Sequence, residues 1–160
     1  MMSIIIYASR TGNTRTIAEA IAAGLRSHGP VQLLSADEVP ATLPEATDLV
    51  VIGGPTEGHG MTEPLARFFD RLAPGALQGT AAAGFDTRLR WPRWLSGSAA
   101  AGITHRLGQA GAQVIAPAES FIVSGKPLLE PGEVERATAW AASLADALEV
   151  GAPAVRGHTR

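Results

Sequence analysis

Short apolar runs alternate with stretches of helical periodicity along almost the whole chain. The runs predict five strands, at residues 4–7, 31–35, 48–54, 80–85 and 114–123, the last interrupted at Pro117. Apolar residues that recur every three or four positions predict helices at residues 16–26, 62–72, 97–110 and 131–148. Strands that alternate with helices form a parallel sheet covered on both faces. We therefore expect an α/β fold, a doubly wound five-stranded parallel sheet in the order 2-1-3-4-5.

Polar loops follow the first, third and fourth predicted strands, at residues 9–14, 53–61 and 86–94. In an open parallel sheet, ligands bind beyond the carboxyl ends of the strands, where the strand order reverses. The three loops come from adjacent strands in the expected order, so they converge on one groove. The sequence predicts a ligand site at that edge of the sheet.

The first loop has the composition of a phosphate site. It reads Ser9-Arg10-Thr11-Gly12-Asn13-Thr14 and lies between a buried strand and a helix. A helix start offers unpaired N–H groups and a partial positive charge, hydroxyls add donors, and glycine lets the backbone curl around an anion. The loop lacks the patterns of a Walker loop and of the dinucleotide fingerprint. The alternative is an ordinary capped helix start, and Arg10 either contacts phosphate or points to solvent.

Composition narrows the functions open to such a fold. The chain has 160 residues, 46% hydrophobic and 18% charged, as expected of one globular domain over residues 1–150. Residues 151–160 have no periodicity, and we expect them to form a disordered tail. The absence of cysteine excludes disulfides, thiolate catalysis and Cys-ligated metals. A formal net charge of −2 argues against nucleic acid as a partner.

No apolar run is long enough to span a membrane, and the start of the sequence has no signal-peptide pattern. We therefore expect a cytoplasmic protein without membrane insertion. The four histidines lack metal-ligand spacing, and no Ser-His-Asp arrangement is visible. Neither a metal site nor a catalytic residue is predicted.

At this point the chain resembles the flavodoxin family over residues 3–149. The loop from Ser9 to Thr14 is similar to the family's Thr/Ser-x-Thr-Gly-x-Thr loop, which holds the phosphate of FMN. Gly54-Pro55-Thr56 resembles the entry to the first loop flanking the flavin. Asp86, with Trp91 and Trp94, resembles the second such loop. The resemblance implies a short-chain, flavodoxin-like protein with FMN as its cofactor.

The resemblance also implies which residues bind FMN. They are Ser9, Arg10, Thr11, Gly12, Asn13 and Thr14 at the phosphate; Pro55, Thr56, Glu57, Gly58, His59 and Gly60 on one side of the flavin; and Asp86, Thr87, Arg88 and Trp91 on the other. The family's stacking tyrosine is absent, since the only tyrosine is Tyr7 in the first strand. Trp91 is the expected replacement, and the alternative is that the tryptophans pin a long loop.

The turn Gly58-His59-Gly60 is expected to sense the redox state of the flavin. Reduction adds a proton at flavin N5, and a glycine peptide can turn its carbonyl toward that proton at little cost. Gly60 is the expected pivot, followed by Gly58. The alternative is that the two glycines only mark a tight turn.

The favoured function is FMN-dependent electron transfer with redox partner proteins. Arg88, Arg90 and Arg93 make the second flavin loop basic. They are expected to make the flavin potentials less extreme and to bind an acidic partner or a second phosphate. The alternative is that they lie in solvent. One alternative is an FMN-dependent reductase of quinones or porphyrinogen-type substrates, which steady NAD(P)H oxidation would indicate. Another is a cofactor-free interaction module, which would stay colourless with added FMN. The oligomeric state is not predicted.

Overall fold

A computed structural model describes residues 1–58, 60–126 and 128–151. His59, Pro127 and the predicted tail from residue 152 onward lie outside the described residues. The strands are β1 Ser3–Tyr7, β2 Val31–Ser35, β3 Leu49–Pro55, β4 Ala81–Leu89, β5 Gln113–Val114 and β6 Glu119–Val123. The helices are α1 Asn13–Leu25, α2 Glu63–Arg71, α3 Arg93–Ser96, α4 Ala99–Gln109 and α5 Glu133–Gly151, with a 3₁₀ turn at Arg26–His28.

The sheet is parallel and has the order β2-β1-β3-β4-β5, which confirms the predicted fold and strand order. The predicted fifth strand is two short strands, β5 and β6, and both pair with β4. Pro117 lies between them, where its missing N–H and fixed φ interrupt the ladder.

Two apolar layers cover the sheet. Ile5 and Val51 face α1 and α5, whereas Ile4, Val50 and Ile52 face α2 and α4. This alternation follows the two-residue period of a strand. Each fully buried large aliphatic side chain contributes about 1.5–3 kcal/mol of burial free energy, so both helix layers are held firmly on the sheet.

The end of β4 differs from the prediction. The strand continues through Leu89 instead of ending at Phe85, because β6 pairs with it from Phe85↔Glu119 to Leu89↔Val123. The polar side chains after Phe85 suggested a loop, but pairing with a neighbouring strand decides the conformation. The short helix α3, inside the predicted loop, was also not expected.

Helix boundaries differ by a few residues. α1 begins at Asn13, three residues before the predicted start, and α5 runs from Glu133 to Gly151. Among the described residues, no helix is both long and apolar enough to cross a bilayer.

An aromatic cluster supports the edge where the three loops emerge. The Phe85 ring makes edge contacts with Phe121 and Trp140 at centroid distances of 6.1 and 6.2 Å. A Cβ atom added at Gly53 would lie 2.2 Å from the Phe85 ring, so this position has no room for a side chain. Trp140 packs against the core, as its helical spacing predicted.

Candidate functional site

The first loop forms a turn that ends at the N-terminus of α1. Gly12 caps the helix with φ 90°, a left-handed conformation that glycine adopts at little cost. The Thr16 N–H donates to the Gly12 carbonyl oxygen at 3.0 Å and closes the first helical turn. The N–H groups earlier in that turn have no carbonyl partner within the helix. We call residues 9–14 the phosphate turn.

Two hydroxyl oxygens of the phosphate turn accept hydrogen bonds from inside it. Ser9 Oγ accepts from the Gly12 N–H at 3.1 Å, and Thr11 Oγ1 accepts from Asn13 Nδ2 at 3.2 Å. A hydroxyl that accepts one bond still has its own proton to donate. Ser9 and Thr11 are therefore held in place and retain O–H donors.

Thr14 is placed differently from Ser9 and Thr11. Its side chain is buried, and its Oγ1 lies 2.7 Å from Oγ1 of Thr87 in β4. This bond ties the start of α1 to the neighbouring part of the sheet. The backbone N–H of Thr14 is the group at this position that the helix leaves without an internal partner.

Arg10 spans the space between the first two loops. Its Nη1 lies 3.1 Å from Oε2 of Glu57, and both side chains are substantially exposed. The pair borders a cleft of about 720 Å³. Ser9 and Gly12 line that cleft together with Pro55, and it extends toward the ends of β2 and α2.

The second loop contains a tight turn. The Glu57 N–H donates to the Gly60 carbonyl at 2.9 Å, and the Gly60 N–H donates back to the Glu57 carbonyl at 3.0 Å. Gly58 has φ 52°, whereas Gly60 has no left-handed φ. The residue in the left-handed region is therefore Gly58, not the expected pivot Gly60. His59 lies outside the described residues.

Asp86 is fully buried and joins the second and third loops. Its Oδ2 accepts hydrogen bonds from Thr56 Oγ1 at 2.9 Å, Ser98 Oγ at 3.0 Å and the Ala100 N–H at 3.0 Å. Thr56 Oγ1 in turn accepts from the Ala99 N–H at 2.9 Å. The carboxylate lies at the N-terminus of α4, where a negative charge is favoured.

Because of this hydrogen-bond network, Asp86 and Thr56 lie beneath the loops and support them, rather than lying on the loop surface. The Oδ1 atom of Asp86 is buried and has no hydrogen-bond partner among the described residues. The Thr56 N–H also donates to the Thr87 carbonyl at 3.0 Å. The two loops are therefore held at a fixed separation by bonds made below the groove.

Two arginines of the third loop, Arg88 and Arg90, fold back onto the protein. Arg88 Nη1 donates to the carbonyl oxygen of Trp91 at 2.7 Å. Arg90 Nε donates to Glu130 Oε1 at 3.1 Å, and this hydrogen bond lowers the pKa of the Glu130 carboxyl and raises the pKa of Arg90. Arg90 therefore carries a paired charge rather than the unpaired one that the basic sequence suggested.

The tryptophans of the third loop are open to solvent. Trp91 is 55% exposed and Trp94 is 83% exposed. Arg88 fixes the backbone at Trp91 through the bond to its carbonyl. An exposed indole held on a fixed backbone at this edge of the sheet has the chemistry needed to stack on a planar ligand.

A comparison with known protein families identifies the family of the chain and its ligand. The flavodoxin family model matches residues 5–147. The chain belongs to the flavodoxin family. FMN is its cofactor, and its function is electron transfer with redox partners. The residues present fit FMN: a turn of neutral donors suits a phosphate, and an exposed tryptophan suits a flavin ring.

Solved structures show the same fold. A flavodoxin from the domain Archaea is 23% identical, with a TM-score of 0.74 over 93% of this chain and 99% of that one. Flavodoxin 1 from Bacillus cereus is 24% identical, with a TM-score of 0.77 over 91% and 98%. The rubredoxin oxygen:oxidoreductase of Desulfovibrio gigas is 18% identical, with a TM-score of 0.76 over 96% of this chain but 37% of its own. No curated protein matches this flavodoxin.

The structure brings the three predicted loops to one edge of the sheet, and it adds residues that sequence reasoning missed. Ser98 caps α4, with its side chain accepting from the Ala101 N–H, and it also donates to Asp86. A serine before a helical run was a readable cap signal. Glu130, the partner of Arg90, had no such signal, because the ion pair joins residues 40 positions apart.

Proposed function

We propose that this flavodoxin is a cytoplasmic electron carrier that binds the FMN phosphate at the phosphate turn and the flavin ring between residues 56–60 and 87–91. FMN supplies the redox chemistry, and the protein sets its position and its access to solvent. The proposal rests most directly on the hydroxyls of Ser9 and Thr11. Each is fixed by an accepted hydrogen bond and keeps a proton to donate.

Neutral donors are sufficient for the phosphate. A phosphate monoester carries about two negative charges near neutral pH, and the N-terminus of α1 favours anions through its dipole and its unpaired N–H groups. Arg10 is already paired with Glu57. We assign it a bridging role across the mouth of the cleft, with the backbone N–H of Thr14 as a donor below it.

The flavin ring is assigned to the groove between the second and third loops. Trp91 supplies the stacking face, and the bond from Arg88 to the Trp91 carbonyl limits how far that indole moves. Asp86 and Thr56 hold the two loops apart from below, through the bonds on Asp86 Oδ2. Pro55 and Thr87 form the floor, where the end of β3 pairs with β4.

The turn from Glu57 to Gly60 is assigned to the proton at flavin N5. Gly58 already has a positive φ, and no atom lies within 4 Å of the place where its Cβ would be. Its peptide is therefore free to reorient without a steric clash. We assign Gly58 the carbonyl that accepts the N5 proton after reduction, with His59 as the next residue of the turn.

Absorption and redox titration test this function together. The purified protein is expected to show flavin bands between 300 and 550 nm, or to acquire them with added FMN, and to be reduced and reoxidised reversibly without consuming NAD(P)H on its own. A protein that stays colourless with excess FMN would contradict the proposal. Steady NAD(P)H oxidation would replace the carrier with a reductase.

A further inference from the structure

Exposed apolar side chains cluster at one place on the molecule. Seven large hydrophobic residues are exposed among those described, and five of them lie on two neighbouring loops. We call these five the tryptophan rim: Leu89, Trp91, Trp94, Leu95 and Leu128. Exposed apolar side chains gathered on neighbouring segments mark a binding surface more often than singly scattered ones do.

The two loops of the rim are fixed to each other. Leu89 in β4 pairs with Val123 in β6, and Arg90 Nε donates to Glu130 Oε1 at 3.1 Å. The Ser124 N–H donates to the Leu128 carbonyl at 2.8 Å and closes the second loop. The rim is therefore one surface and not two unrelated loops.

The tryptophan rim is exposed, whereas the phenylalanine rings of the chain are buried. Phe68, Phe85 and Phe121 are buried, whereas Trp94 is 83% exposed. The proposed FMN contacts include Trp91 but not Trp94, Leu95 or Leu128. The FMN site therefore does not explain the rim.

The distribution of charge indicates which kind of surface the tryptophan rim binds. Residues 88–95 contain three arginines and no Asp or Glu, and Lys126, the only lysine, lies in the other loop of the rim. One of these four cations, Arg90, is paired with Glu130, so the rim keeps a net positive charge. The chain as a whole has a formal net charge of −2. An anionic surface therefore attracts this end of the molecule and repels the remainder, which fixes the orientation of approach.

The chemistry of the rim favours lipid over protein. In the run Arg90-Trp91-Pro92-Arg93-Trp94-Leu95, indoles alternate with cations. Indole rings favour the membrane interface, and arginine pairs with phosphate headgroups. A fluid bilayer accepts small protruding rings without a matching shape.

We infer that the tryptophan rim docks this flavodoxin peripherally on anionic lipid membranes. Trp94, Leu95 and Leu128 enter the headgroup region, and the excess positive charge of residues 88–93 and Lys126 attracts the lipid phosphates. The rim adjoins the groove assigned to the flavin, so docking brings the redox edge to the membrane surface. The inference goes beyond electron transfer, and it rests on the proposed function in assigning Trp91, and not Trp94, to the flavin.

Co-sedimentation of the FMN-loaded protein with lipid vesicles tests the inference. Vesicles of phosphatidylglycerol and phosphatidylcholine in equal amounts are compared with pure phosphatidylcholine, at low and at high salt. We expect binding to the anionic vesicles alone, weakened by salt. The double variant Trp94→Ser/Leu95→Ser is expected to reduce the vesicle partition coefficient by about tenfold or more. The variant Val134→Ser, at an exposed apolar position on α5, should bind like the wild type.

Two controls keep the outcome specific. FMN affinity of the double variant is measured separately and should be unchanged, since Trp91 is retained, and its urea unfolding should match the wild type. The absence of binding to anionic vesicles at low salt would overturn the inference. So would equal binding by the double variant. A wild-type dimer in size-exclusion chromatography that the double variant loses would overturn it in favour of a second copy.

Discussion

The phosphate turn and the tryptophan rim lie at the same edge of one sheet, yet they are built in different ways. In the phosphate turn, short polar side chains make hydrogen bonds within the turn, as when Ser9 Oγ accepts from the Gly12 N–H. In the rim, the indole of Trp94 has little cover, and the backbone is held by arginines that reach carbonyl and carboxylate groups. The turn is ordered before a ligand arrives. The rim keeps its contact surface open for one.

This difference indicates which region is specific for one ligand and which region can adapt to different surfaces. Pre-ordered donors lose little entropy when they bind an anion, so the turn is suited to one chemical group in one position. Large rings on a fixed backbone offer contact area at low conformational cost, so the rim is suited to flat or fluid surfaces. The predictions below try to separate these two roles, beginning with the largest effect.

The substitution Thr11→Ala should weaken FMN binding without affecting the fold. Thr11 is exposed, and the loss removes a charge-assisted hydrogen bond of about 1.5–3 kcal/mol. Thr14→Ala, in contrast, should also lower the free energy of unfolding, because it leaves the buried Thr87 hydroxyl without its partner. FMN titration by fluorescence and urea denaturation measure the two effects, with the exposed Thr42→Ala as the control. If Thr11→Ala binds FMN like the wild type, the phosphate lies elsewhere.

The substitution Asp86→Asn should destabilise the support beneath both loops. Neutralising a buried carboxylate that accepts three hydrogen bonds should lower the free energy of unfolding by about 1–3 kcal/mol. Asp70→Asn is the matched control, because Asp70 makes an exposed ion pair with Arg106 worth about 0–1 kcal/mol. Chemical denaturation compares the two variants. Equal, small losses would mean that Asp86 does not carry the network.

The substitution Trp91→Ala should reduce FMN affinity by on the order of 1 kcal/mol and make bound FMN more fluorescent, because a stacked indole quenches flavin emission. Trp94→Ala should leave FMN affinity close to that of the wild type, since the proposed flavin contacts include Trp91 and not Trp94. Fluorescence titration of both variants makes the comparison. If Trp94→Ala loses more FMN affinity than Trp91→Ala, Trp94 and not Trp91 is the residue that stacks on the flavin.

The substitution Gly58→Ala should shift the potential of the first one-electron step by tens of millivolts, because the left-handed φ of residue 58 costs alanine energy in the redox state that keeps it. An alanine pays roughly 1–2 kcal/mol in a left-handed conformation, and about 1.4 kcal/mol corresponds to roughly 59 mV for one electron. Gly60→Ala is the control, since Gly60 lacks a left-handed φ. Spectroelectrochemical titration measures both. Identical potentials in wild type and Gly58→Ala would leave the turn a purely structural role.

Hydrophobic patterning was enough to predict the order of the sheet and the three loops at its edge. The buried runs in β1 and β3 have no other stable place than the centre of a sheet. The polar end of β4 was beyond such reasoning, because Asp86 and Thr87 become strand residues only through pairing with β6. Long-range partners of this kind leave no local pattern in the sequence.

The residues of the site divide in the same way. Within the phosphate turn, Ser9 and Thr11 bond to residues no more than three positions away, so the composition of the turn predicted its position at the start of α1. The roles of Asp86 and Arg90 depend on Ser98, Ala100 and Glu130, which fold to them from other elements. Sequence reasoning placed Asp86 beside the cofactor, whereas the structure places its carboxylate under the loops.

Comparing the affinities of FMN and riboflavin tests the account most directly, because the two ligands differ only in the phosphate. If the phosphate turn is the anchor, two charge-assisted hydrogen bonds from Ser9 and Thr11 contribute about 3 kcal/mol or more, and FMN should bind at least about 100-fold more tightly. Calorimetric titration of the apoprotein with each ligand gives the ratio. Equal affinities for FMN and riboflavin would contradict the assignment of the phosphate to residues 9–14.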